Sequence, residues 1–197
     1  MRVRSVALST IVAAAALTAV ACSSTQSGQP LPMNGQTPTS SARPSSTGTA
    51  ATGSKLSGLN ACALLADGEA QQIVPGAGIH VDQGELGGIG TSNCRWSKSV
   101  TNGQGGVTFG LTVRPAQSVK DVVVQSGGQL SSTTSTGGRQ VALVKNNGAG
   151  ISCFAAIAVG SGRVDIDVTT VRGATAEDMC AIVSKIDDVV EPRLPTS

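Results

Sequence analysis

Gly106-Val107-Thr108-Phe109-Gly110-Leu111-Thr112-Val113-Arg114 alternates residue by residue. Val107, Phe109, Leu111 and Val113 fall on one side, and Thr108, Gly110 and Thr112 on the other. That is the period of a strand with one face in a core. Val164, Ile166 and Val168 repeat it against Asp165, Asp167 and Thr169. The two aspartates then share the solvent face of an amphipathic strand. Gln140 to Lys145 and Ile151 to Val159 read as two more strands, the second apolar almost throughout and so central. Asn147-Gly148 is a tight-turn pair between them, and Gly160-Ser161-Gly162 turns the chain again.

Helices flank these strands. Thr175 caps a last helix whose stripe is Met179, Ile182, Val183, Ile186 and Val190. Asn60 caps a short helix from Ala61 to Leu65, and Asp67 a second that runs to Val74 and stops at Pro75-Gly76. Ile79 to Asp82 and Asn93 to Trp96 add strand segments. Pro115 suits the first turn of a helix through Val119, Val122 and Val123, ended by Gly127-Gly128, with the β-branched run Val122-Val123-Val124 opposing it. Pro192 and Pro195 end the chain's order. The expected fold is α+β, an antiparallel sheet with helices packed mainly on one face. From about Leu59 the composition is that of a folded chain, so a single domain is expected over residues 58–197.

Upstream the pattern changes. Met1-Arg2-Val3-Arg4 is a short positive region, and Ser5 to Ala21 is small, apolar and uncharged. Ala19-Val20-Ala21-Cys22 closes it. This reads as a lipoprotein signal peptide over residues 1–21, removed just before Cys22, whose thiol carries the lipid. Ala19 stands where such a box more often has Leu. The alternative is an ordinary secretory signal cut near Ala21. Ser23 to Ser57 is rich in Ser, Thr, Gln, Pro and Gly, so residues 22–57 read as a lipidated cysteine and a disordered tether spanning roughly 30–35 Å. The expected address is the extracytoplasmic face of a cell membrane, held by the lipid anchor.

Charge and aromatics narrow the function. The net charge is +2, and Arg2 and Arg4 leave with the signal, which brings the mature chain to about zero. No nucleic-acid partner is expected, because that needs a basic face. With one Trp, two Phe and no Tyr, stacking platforms for bases or glycans are not expected either.

Five cysteines are present, and Cys22 takes the lipid. Four remain in an oxidising compartment, which allows three pairings. Cys62–Cys94 and Cys153–Cys180 are favoured, because each joins a helix to a nearby strand. A metal site in their place is disfavoured, since there is no Cys-x-x-Cys and His80 is the only histidine.

Asn60-Ala61-Cys62-Ala63-Leu64-Leu65, then Cys94-Arg95-Trp96, then Gly137-Gly138-Arg139 with Ala142 before Cys153, then Cys180 on a final helix, make a recognisable series. It resembles actinobacterial lipoproteins of domain-of-unknown-function family 3558 over about Leu59 to Val190. Asp67-Gly68-Glu69 departs from that pattern, which more often has Thr or Pro before a Glu. The resemblance implies the fold and an envelope location. It transfers no catalytic residue.

No catalytic constellation emerges, so no enzyme, cofactor or metal is expected. No Gly-x-Ser-x-Gly elbow accompanies His80, which reads as a surface or loop histidine. Asp165 and Asp167 could hold a divalent ion, but a solvated strand face is the simpler reading. Gly84, Gly87, Gly88 and Gly90 do not make a phosphate loop, and Trp96 reads as core. The expected function is a non-enzymatic binding or accessory domain for an envelope protein or wall component. The alternative is a carrier of an apolar small molecule or lipid in a pocket between sheet and helices.

Overall fold

The computed structural model describes residues 54–101 and 105–196, all within the compact unit Ser46–Ser197. The signal segment, Cys22 and the tether up to residue 53 lie outside the described residues.

Seven strands form one sheet: β1 (Val81–Gly84), β2 (Ser92–Lys98), β3 (Val107–Arg114), β4 (Gln129–Thr134), β5 (Gln140–Lys145), β6 (Ile151–Val159) and β7 (Gly162–Thr170). Their order is β1-β2-β3-β7-β6-β5-β4, and every neighbouring pair is antiparallel. The last strand thus fills the centre. The two alternating stretches pair directly, with Phe109 opposite Val168, Leu111 opposite Ile166 and Val113 opposite Val164. Those six side chains are buried. Trp96 stacks on Phe109 at 5.6 Å between ring centroids.

Helices α1 (Asp67–Ile73) and α2 (Ala176–Val190), with a 3-10 turn at Ala61–Ala63, cover this face. Thr175 caps α2, its hydroxyl accepting from the Asp178 backbone N–H while the Asp178 carboxylate accepts in return. Met179, Val183, Ile186 and Val190 face the sheet. The fold is the expected α+β arrangement, and two disulfides staple it. Cys62–Cys94 joins the 3-10 turn to β2 and Cys153–Cys180 joins β6 to α2, with Cα atoms 5.0 Å apart in each.

Several expectations change. Asp165 is not on a solvated face: it is 3% exposed. The segment that follows β3 crosses the second face of the sheet there, and Arg163 donates to the carbonyl oxygen of Ser118 at 2.8 Å. Asp165 lies 2.5 Å from Nε of Arg114 and 2.8 Å from Nε of Arg163. Asp167 lies over Gly110, where any Cβ would stand 2.8 Å from the carboxylate. Burial pushes both aspartates up from the usual carboxylate range, against the pull of Arg163 and Arg114 on Asp165 and of Arg95 on Asp167.

The helix expected after Pro115 shrinks to a 3-10 turn at Val119–Asp121, and Val122 is already extended. Its β-branched run opposes a helix. β4 was not foreseen: Gln129-Leu130-Ser131-Ser132-Thr133-Thr134 is polar and wholly exposed. The fold also begins before the expected boundary. Ser54 is buried and Leu56 is fully so. Nor do the prolines end the order, for Glu191–Arg193 is a 3-10 turn and Leu194 is buried after it.

Candidate functional site

The sequence candidates scatter. His80 stands before β1, exposed, with Nδ1 2.9 Å from Asp67 Oδ1. The same oxygen accepts from Trp96 Nε1 at 2.9 Å and from the His80 backbone N–H at 3.0 Å. The His80 hydrogen bond, with that of Trp96, holds the Asp67 carboxyl below its usual range. Asp67 therefore opens α1 without capping it, and Ala66 occupies the cap position. Gly84, Gly87, Gly88 and Gly90 lie in the loop between β1 and β2. Asp165 is ion-paired with Arg114 and Arg163 on the far side of the sheet, and Asp167 lies along the same strand over Gly110. None of these groups converges on another of the expected set except His80, which meets the Cys62–Cys94 disulfide.

A groove lies elsewhere, between α2 and the β4–β5 edge. It encloses about 320 Å³. Val141, Leu143, Ala155 and Val183 form its apolar floor, beside Cys180. Thr133, Thr134, Ser135 and Thr136 supply hydroxyls on one wall, and Asp187 and Asp188 supply carboxylates on the other. A second hollow, lined by Arg139, Glu191 and Leu194 among others, continues from it past Thr136 and Asp188.

The turn between β4 and β5 is pinned to the end of α2. The Glu191 carboxylate accepts from the Ser135 hydroxyl and from the Gly137 N–H, the latter at 2.8 Å. Nε of Arg139 lies 3.6 Å from the same carboxylate. A Cβ at residue 137 would stand 2.6 Å from Glu191 Oε1, so a larger residue there would push the carboxylate off its partners. Gly138 follows with φ +82°, in the left-handed region.

Asp187 is the odd group. Its Oδ1 is buried and finds no hydrogen-bond partner among the described residues. Burial, then the charges of Glu191 and Asp188, push its pKa up to about 6, with Arg139 pulling the other way. It also sits near the C-terminal end of α2, where the helix dipole disfavours negative charge, and no basic residue occupies the last turn. Sequence reasoning did not single it out, because an Asp-Asp pair on an amphipathic helix looks like solvated surface.

A family model described as Protein of unknown function (DUF3558) matches residues 17–193. The chain belongs to this family. No curated protein and no solved structure matches it significantly. In this DUF3558 chain the Gly137-Gly138-Arg139 run has a physical role: Gly137 donates its N–H to the Glu191 carboxylate and Arg139 pairs with it, which positions β4 beside the groove.

Asp187→Asn is expected to stabilise this DUF3558 domain. A rise from 3.8 to about 6 corresponds to about 3 kcal/mol, and solvent at a half-open groove reduces that to about 1 kcal/mol. The folded-state pKa is raised, so the wild type loses this stability between about pH 4 and pH 6, as the carboxyl ionises more readily unfolded than folded. Urea titrations at pH 4 and pH 7.5 should show the variant's advantage only at the higher pH. An equal effect at both would mean Asp187 carries no strained charge.

Proposed function

We propose that this chain is an extracytoplasmic lipoprotein, anchored by lipid at Cys22, whose domain is a non-enzymatic module for binding an envelope protein. The partner adds an extended basic segment alongside β4. The observation that carries this reading is the β4 edge. A regular six-residue strand that pairs only with β5 among the described residues leaves a row of backbone donors and acceptors open. Protein edges are normally blunted by Lys, Pro, a bulge or brevity. β1 is four residues long with an irregular register. β4 has none of these devices, and strand addition is an established mode of peptide recognition. Asp187 and Asp188 beside it suit a Lys or Arg side chain.

The anchor is supported by the match beginning at Leu17, which brings Cys22 and the Ser/Thr-rich stretch within the family's span. Among the described residues no helix is long and apolar enough to cross a membrane.

The test uses the full chain in its own cells, with a photo-crosslinking residue at Ser132 in β4 or at Asp82 in β1. Adducts specific to Ser132, whose crosslinked partner segment carries Lys or Arg, are expected. Ser131→Pro should abolish them, and Cys22→Ser should move the protein out of the membrane fraction. Equal adducts from both edges, or adducts indifferent to the proline, would refute the strand-addition reading. The carrier of an apolar ligand is the second reading, favoured by the floor of Val141, Leu143, Ala155 and Val183. About 320 Å³ is at the small end for ligand pockets, and the polar rim suits a lipid poorly. Native mass spectrometry with a bound apolar mass, lost on unfolding, would turn the choice to it.

A further inference from the structure

We propose that Cys62, Cys94 and His80 form a redox-gated metal site: a disulfide when oxidised, and three protein ligands for a zinc-class divalent ion when reduced. The two sulfurs and a ring nitrogen of His80 all lie within 4.8 Å of one another. Tetrahedral zinc, with bonds of about 2.3 Å to sulfur and 2.0–2.1 Å to nitrogen, needs its ligand atoms about 3.5–3.8 Å apart. The nitrogen thus has about 1 Å to travel, and the sulfurs part from bonding distance.

The surroundings already resemble a second shell. Asp67 Oδ1 takes Nδ1 of His80 at 2.9 Å, while the Trp96 indole holds the same oxygen at 2.9 Å. A carboxylate on Nδ1 keeps the proton there and leaves the Nε2 lone pair for a metal, the usual arrangement of a metal-bound histidine. Two Cys and one His leave a fourth position for water, which marks an open site. The disulfide is also placed for opening. Cys62 is half-buried and His80 exposed, whereas Cys94 is 2% exposed. The bond ties a 3-10 turn, outside the sheet, to β2.

The reductant is an extracytoplasmic dithiol. Its thiolate attacks Cys62 Sγ, the S–S bond breaks, and Cys94 leaves as a thiolate. The second thiol attacks the mixed disulfide and releases Cys62. The dithiol becomes a disulfide, and the protein gains two electrons and two protons as two thiols. A divalent ion then displaces those two protons.

The test is cobalt titration of the full mature chain in detergent, reduced anaerobically with a dithiol and freed of it. Reduced protein should bind one Co²⁺ with thiolate-to-cobalt absorption, released by Zn²⁺, and oxidised protein should not. Cys62→Ser with Cys94→Ser should abolish the bands. His80→Ala should weaken binding at least tenfold, and Asp67→Asn by about 10–100-fold. The lone tryptophan, Trp96, reports folding at the site. Bands that survive in the double serine variant, or affinity unchanged in His80→Ala, would overturn the proposal. So would a reduced chain whose Trp96 fluorescence shows it unfolded before cobalt is added.

Discussion

Asp165→Asn is expected to cost about 3–5 kcal/mol of stability. Asp165 is 3% exposed and Arg163 6%, on the central strand of the sheet. The carboxylate faces the Arg114 and Arg163 guanidiniums at 2.5 and 2.8 Å. Asn has the shape but not the charge. It leaves Arg163 buried with the Ser118 carbonyl as its nearest remaining partner, and a buried cation without its counter-ion loses far more than a surface pair would. The cluster is not ideally made even in the wild type: Nε of Arg163 and Oδ1 of Asp165 stand close but off the line of a hydrogen bond. Replacing both with apolar residues, Arg163→Met with Asp165→Leu, should therefore cost less than Asp165→Asn alone. Urea midpoints at constant slope would measure both. A loss under 1 kcal/mol for the single variant would mean that water reaches Arg163 and the cluster is not a buried one.

Leu56→Ala should cost about 2–5 kcal/mol, the range for truncating a buried leucine. Leu56 is 0% exposed and belongs to the main core. A Cβ added at Gly162 would touch its Cδ1 at 2.9 Å, so the pocket around it is tightly filled. For a domain of this size the melting temperature should fall by about 10 °C. Lys55→Ala, one residue away and exposed, should change stability by no more than about 0.5 kcal/mol. Equal small effects at both positions would place the start of the fold after Leu56.

Legibility followed how local each signal was. The strands at Val107 and Val164 and the helix from Ala176 were readable because alternation and the 3.6-residue stripe are properties of neighbours in the chain. The pairing of the four cysteines followed from the elements they sit on. β4 was not readable, since an edge strand exposed on both faces needs no apolar alternation. Leu56 was hidden because one leucine among Ser, Gly and Lys has no period. Asp165 looked solvated because alternation says which residues share a face, not what covers it. The groove was visible only in part. Gly137-Gly138-Arg139 stood out, but the reason for it, Glu191, lies 54 residues further on.

By itself, then, the sequence determined the α+β class, the main strands and the capped last helix, from periodicities and caps that act within a few residues, and it favoured the disulfide pairs from the elements their cysteines sit on. Tertiary structure decided the rest. It placed β7 between β3 and β6, buried Asp165 between two arginines, set Asp187 half-buried beside an open strand edge, and brought His80 to the Cys62–Cys94 bond. Each of those outcomes depends on what is desolvated and which charges meet, and burial and charge proximity are properties of the packed chain that no local pattern encodes.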